Sequence, residues 1–155
     1  MLEAQEPPQW FIYTKKLRGE NMVQNSLPLH WRKYPERYRL EGNINEETGE
    51  AFFPARVVDP KQGRKGKLVP IEMPRIGKIV SLTEVYVGPQ GFEKETPYFL
   101  ALIELENKVR MLTQIVDSPK EKIKEGAKVK KVFRKISDID EEGAIAYGYK
   151  FKVEE

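Results

Sequence analysis

From Pro74 to the C-terminus, short apolar runs alternate with turn residues, and the period within the runs is two. Residues 76–87 are rich in β-branched side chains and stop at Gly88-Pro89, which predicts a strand. Residues 98–105 and 109–116 form a second pair, joined by Glu106-Asn107-Lys108, a connection of hairpin length and turn chemistry. Residues 128–136 alternate around Val129, Val132 and Phe133, residues 144–153 around Tyr147, Tyr149, Phe151 and Val153, and Asp140-Glu141-Glu142-Gly143 makes the turn between them. A short helical turn is predicted over 118–125, with Ser118 as cap, Pro119 at its first position and Gly126 after its end. Five strands with a short helix between the third and fourth is the element order of an OB barrel. The side chains expected inside it are Ile79, Leu82, Val85, Leu100, Leu102, Ile103, Leu112, Ile115, Val132, Phe133, Tyr147 and Phe151.

Upstream the pattern changes twice. Residues 9–23 carry Trp10, Phe11, Ile12, Tyr13 and Leu17, the makings of a short helix or of an arm that packs on something else. Leu27, Trp31 and Tyr34 then recur at helical spacing, with Ser26 as cap, until Pro35 is expected to end or kink the helix. Between 38 and 66 only apolar snippets remain, set among Asn43-Ile44-Asn45, Thr48-Gly49, Asp59-Pro60 and Gln62-Gly63. That is too little apolar material for an independent core, so a metal or neighbouring structure has to hold the segment. The expected organisation is mainly β: a helical arm over 1–37, a ribbon-like segment over 38–70 and a five-stranded OB-fold barrel over 71–155.

Spacing within the middle segment is informative. A zinc ribbon has two tight knuckles, each a pair of ligands separated by two residues and followed by glycine. Asn45-Glu46-Glu47-Thr48-Gly49 and Asp59-Pro60-Lys61-Gln62-Gly63 keep that spacing and both glycines, while Asn45, Thr48, Asp59 and Gln62 stand at the sulfur positions.

Composition then narrows the chemistry. The chain has 155 residues and no cysteine, which removes disulfides, thiolate catalysis and thiolate zinc sites. Its 27 basic and 24 acidic side chains leave a formal charge of +3, too small to demand a polyanionic partner. No apolar run approaches a membrane span, and the opening residues lack the pattern of a signal peptide, so a cytoplasmic location is expected. His30 is the sole histidine and stands in no catalytic motif.

Ordered motifs over about residue 27 to the C-terminus carry a family resemblance. They are Trp31-Arg32-Lys33-Tyr34-Pro35-Glu36-Arg37-Tyr38-Arg39, Phe53-Pro54-Ala55-Arg56, Val85-Tyr86-Val87-Gly88-Pro89 with Gly91-Phe92, Thr96-Pro97-Tyr98, Leu112-Thr113-Gln114-Ile115-Val116 and Tyr147-Gly148-Tyr149-Lys150-Phe151. In these the chain resembles the archaeal and bacterial OB-fold proteins with a rubredoxin-like zinc ribbon, a domain family associated with acyl-CoA enzymes. The resemblance implies a non-catalytic accessory protein that joins a thiolase to a hydroxymethylglutaryl-CoA synthase in archaeal isoprenoid synthesis through the mevalonate pathway, or serves a related thiolase-like enzyme, and that helps shape an acyl-CoA site. The family ribbon carries four cysteines. Here their places are taken by Asn45, Thr48, Asp59 and Gln62, one carboxylate and three neutral groups, so no zinc is expected.

Three sets of residues are candidates for binding. Phe53, Pro54 and Arg56 combine an apolar wedge with a guanidinium suited to a CoA phosphate or an enzyme carboxylate, or else Phe53 anchors the ribbon to the barrel and Arg56 is a solvated charge. Trp31, Arg32, Tyr34 and Arg37 are of the types enriched at interface hot spots, or else they form an amphipathic helix packed on their own barrel. From 120 to 135 eight basic residues face only Glu121 and Glu125. Within that run Lys128, Lys130, Lys131 and Arg134 make single-stranded nucleic acid the alternative partner, although alternation on a strand equally makes them a solvated edge.

Overall fold

A computed structural model describes residues 27–89, 92–138 and 145–154. The aromatic stretch 9–23, the Ser26 cap and the turn expected at 140–143 lie outside the described residues. The chain divides into two units, 1–32 and 33–155. The first contributes one described helix, α1 (Leu27–Arg32). As expected, the helix stops short of Pro35, at Arg32. Pro35 sits in the first turn of α2 (Tyr34–Arg39), where its missing N–H has no partner to lose. Leu40 closes α2 in the left-handed conformation (φ 59°) and is itself fully buried.

A small sheet follows, with strand order β2-β1-β3, from β1 (Glu41–Asn45), β2 (Ala51–Phe52) and β3 (Leu68–Glu72). Both pairings are antiparallel, with Asn43 opposite Phe52 on one side and Pro70 on the other. Pro70 is tolerated because β3 is an edge strand of this sheet.

The second half is the expected barrel. Strands β4 (Ile76–Val85), β5 (Tyr98–Leu105), β6 (Arg110–Ile115), β7 (Lys128–Asp138) and β8 (Ile145–Val153) close in the order β4-β5-β6-β8-β7, with β4 returning to pair with β7. A register shift between Ile79 and Ser81 bends β4, which pairs with β5 from Gly77 to Val85 and with β7 from Ile76 to Lys78. The parallel contact that completes the cylinder is Ile115 opposite Phe151, with the Val116 N–H donating to the Phe151 carbonyl at 2.9 Å. The helix expected over 118–125 is one 3-10 turn at Lys120–Lys122.

The core contains Ile79, Ala101, Ile103, Leu105, Met111, Ile115, Val129, Phe151 and Val153. Several expected interior residues lie elsewhere. On β6 the interior positions are Met111, Thr113 and Ile115, whereas Leu112 is 64% exposed. Leu100 and Leu102 are only half-buried beside fully buried Ala101 and Ile103. Strand β5 is apolar on both faces, so alternation could not tell them apart, and the buried face uses the small Ala101. Phe133 and Tyr147 are also outside the buried core, stacked on each other with ring centroids 5.7 Å apart.

Candidate functional site

Two regions concentrate polar side chains in places that are costly to leave unpaired. The first is the pair of turns headed by Asn45 and Asp59. In the first turn, Oδ1 of Asn45 accepts the backbone N–H of Glu47 (2.8 Å) and of Thr48 (3.2 Å), and the Gly49 N–H reaches the Asn45 carbonyl at 2.8 Å. The second turn repeats this arrangement. Oδ1 of Asp59 accepts the N–H of Lys61 (2.7 Å) and of Gln62 (2.8 Å), and the Gly63 N–H reaches the Asp59 carbonyl at 2.9 Å. Gly49 (φ 70°) and Gly63 (φ 63°) adopt the left-handed backbone that each turn needs for its last step.

The turns are joined by side chains. Nδ2 of Asn45 donates to Oδ2 of Asp59 at 2.6 Å and to Oε1 of Gln62 at 2.9 Å. Asn45 and Asp59 are 0% and 2% exposed. Gly66 leaves room for this contact, because a Cβ there would come within 2.5 Å of the Asp59 Cβ. These residues do not fit a zinc ion. They offer a single negative charge, the lone pairs of Asn45 Oδ1 and Asp59 Oδ1 already accept N–H groups, and the amide of Asn45 points a donor where a metal needs an acceptor. Thr48, at the fourth position, turns outward and accepts from the Glu50 N–H at 3.3 Å.

Asp59 is held below the ordinary aspartate value, first by the Asn45 amide and then by the Gln62 N–H. A depressed carboxylate contributes stability above its unfolded pKa, and that contribution is lost as pH falls through the folded value. The finger is therefore expected to be fully closed at neutral pH and to open only below about pH 4. Following the Asp59 carboxyl by NMR should give a midpoint below 3.8, with faster amide exchange at Lys61 and Gln62 as it protonates. A midpoint above that value counts against the assignment.

The second region is a cleft of about 410 Å3 between α2 and one face of the barrel. Such a volume suits a small-molecule site. Leu100, Leu112 and Tyr98 from β5 and β6 form its floor, Tyr149 and Lys150 of β8 one wall, and Lys33, Glu36 and Arg37 its rim. The face used, together with Pro89 and Phe92 beyond β4, is the one through which OB barrels take ligands. Burial, reinforced by the Glu36 carboxylate and opposed by Arg37, pushes the Tyr149 phenol up to about 12, so it remains a neutral donor. Lys150 Nζ lies 3.3 Å from the Glu95 carboxylate, which also accepts from Gln114 at 3.2 Å. Three cations, Lys33, Arg37 and Lys150, and one carboxylate, Glu36, thus line the cleft beside apolar Leu100 and Leu112.

The structure gathers only some of the residues proposed from sequence. Arg37 is on the cleft rim, and Phe53 packs edge-on against Tyr149 at 5.6 Å, so both belong to this end of the barrel. Tyr34 packs at a tilt against Tyr38 (4.4 Å), which meets Phe133 edge-on (4.8 Å), forming an aromatic row that ends at Tyr147. Arg56 lies over the Phe52 ring at 5.4 Å, and Pro54 beside it is exposed. Trp31, 74% exposed, and Arg32 are on α1, in the other unit. Lys131 donates to the Tyr38 carbonyl at 2.8 Å and Arg134 pairs with Asp117 at 2.6 Å, leaving Lys128 and Lys130 exposed on β7. The sequence reading missed Tyr149, Lys150 and Gln114. Their one signal was polar groups set into strands of otherwise apolar rhythm.

Three kinds of similarity bear on this geometry. A family model described as the C-terminal OB-fold domain of ChsH2 matches residues 70–134. A DUF35 domain-containing scaffold protein of Methanocaldococcus jannaschii is 41% identical over 138 residues, covering 89% of this chain and 95% of its own length. The chain belongs to the DUF35 scaffold family. Further members from Pyrococcus furiosus (42% identical, 79% of this chain and 89% of the relative) and Methanothermobacter thermautotrophicus (39%, 79% and 92%) carry the same description. Among solved structures, the Ltp2-ChsH2(DUF35) aldolase superposes with a TM-score of 0.61 over 79% of this chain and 91% of that one, at 22% identity, and supports the shared DUF35 fold. Among the described residues of this family member, no helix is long and apolar enough to cross a membrane.

Proposed function

We propose that this DUF35 protein is a non-catalytic cytoplasmic scaffold that docks onto a thiolase-family enzyme, together with a hydroxymethylglutaryl-CoA synthase-like partner, and lends its barrel cleft to an acyl-CoA site in acetoacetyl-CoA and mevalonate metabolism. The observation that carries this reading is the cleft itself, set in a chain whose relatives are described as scaffold proteins. Its apolar floor suits an acyl or pantetheine chain, the neutral Tyr149 phenol suits a thioester carbonyl, and Lys33 and Arg37 at the rim suit phosphate. The volume takes part of a CoA molecule, so the remainder has to rest on a partner. The similar aldolase structure, in which a DUF35 chain is paired with Ltp2, supports an enzyme as that partner. With no cysteine in the chain, an acyl group has no thiol here to be transferred to, which supports a role in holding substrate rather than converting it.

Gentle purification with a thiolase and a synthase from the same source tests the reading. The three proteins are expected to elute together, and Arg37→Glu is expected to weaken acetoacetyl-CoA binding to the assembly about tenfold by calorimetry. Elution of this chain apart from both enzymes counts against the scaffold role. Unchanged affinity in Arg37→Glu counts against the cleft.

A further inference from the structure

The loop that links the two turns carries a feature that the cleft does not explain. Asn43, 6% exposed, grips the backbone of Arg56 on both sides: Nδ2 donates to the Arg56 carbonyl at 2.5 Å, and Oδ1 accepts the Arg56 N–H at 3.2 Å. Three residues on, Asp59 is locked to Asn45 at 2.6 Å. Both anchors belong to β1, at positions two residues apart, so their side chains lie on one face of the strand. Only Val57 and Val58 remain between them. Val57 is 98% exposed and Val58 46% exposed. Two β-branched side chains of low conformational freedom are therefore held out in solvent by a backbone fixed at both ends. Flanking them in the chain are the exposed basic residues Arg56, Lys61, Arg64 and Lys65, of which Lys61 pairs with Glu50 at 2.8 Å, while Asp59, the sole carboxylate from 53 to 66, is buried.

We infer that Val57 and Val58 form a preorganised apolar knob that inserts into an apolar notch on the partner enzyme, and that the basic collar meets carboxylates at the rim of that notch. This rests on the scaffold reading and specifies its contact. Rigidity lowers the ordering cost of binding, and a collar of one sign steers association with an acidic surface. The occupant follows from charge complementarity: Lys61 is paired with Glu50, but Arg56, Arg64 and Lys65 stand without an ion pair among the described residues, and three such cations favour an acidic rim. It also gives the joined turns a role: they stiffen the base of the knob.

The test uses the full chain and purified thiolase and synthase from the same source, with affinity read by surface plasmon resonance at two salt concentrations. Val57→Asp is expected to weaken binding to one of the two enzymes at least about tenfold, while its melting temperature stays at the wild-type value because the residue touches nothing buried. Val57→Ile is expected to keep wild-type affinity. Arg64→Glu with Lys65→Glu is expected to slow association several-fold and to flatten its salt dependence. Wild-type affinity in Val57→Asp overturns the knob and leaves the scaffold role standing. If the wild-type chain binds neither enzyme, the scaffold role falls and the knob falls with it.

Discussion

Phe151→Ala is expected to remove about 4 kcal/mol of stability, the range found when a large buried aromatic is truncated and the cavity cannot collapse. Phe151 is fully buried, and its backbone is the point where the barrel closes, opposite Ile115 and bonded to Val116. A cavity there loosens β6 against β8 at their one parallel pairing, where no second ladder rung shares the load. Urea denaturation is the measurement, and the midpoint should fall with the slope unchanged. Phe133→Ala is the control, because that ring is 43% exposed and its loss should cost roughly 1 kcal/mol. Equal losses from the two variants would mean that the core has been placed wrongly.

Asn45→Ala is expected to cost roughly 3 kcal/mol, felt in the finger more than in the barrel. The change strips partners from the N–H groups of Glu47 and Thr48, from Oδ2 of Asp59 and from Oε1 of Gln62 at once. Buried polar groups left without partners cost more than a hydrogen bond contributes, and here one of them is a carboxylate. Hydrogen exchange resolves where the loss falls. Amides of β1 and β3 should lose protection while those of β5 keep theirs, because the two sheets are separate. Uniform loss across both sheets would show that the finger and barrel melt as one unit and that the joined turns are not a local clasp.

Both predictions start from positions the sequence made visible to different degrees. The barrel was legible because turn residues punctuate it at regular intervals, and strand β5 was found with its observed bounds, Tyr98–Leu105. Facing was less legible. Leu112 reads as core by hydropathy, yet the register that puts Met111, Thr113 and Ile115 inside leaves it in the cleft floor and 64% exposed. On β6 the alternation itself was readable, since Arg110 and Gln114 share the face of Leu112, and Leu112 and Ile115, three residues apart, cannot both point inward. In the finger, spacing alone placed Asn45 and Asp59 at the head of each turn and a glycine at its end. That Asn45 reaches across to Asp59 was not available from spacing, because the two are 14 residues apart and a side-chain amide can equally bond locally.

The cleft was the least legible feature. Tyr149, Lys150, Gln114 and Arg37 come from β8, β6 and α2, elements distant in the chain, and no local pattern unites them. Local chemistry, namely turn residues and alternation, determined the strands of the barrel and the two turns of the finger. The tertiary structure alone decided which strand face is buried, which polar groups meet across the turns and which donors share one cavity. Backbone preferences act over a few residues and can be read in order, whereas facing and side-chain encounter depend on where distant segments land when the sheet closes.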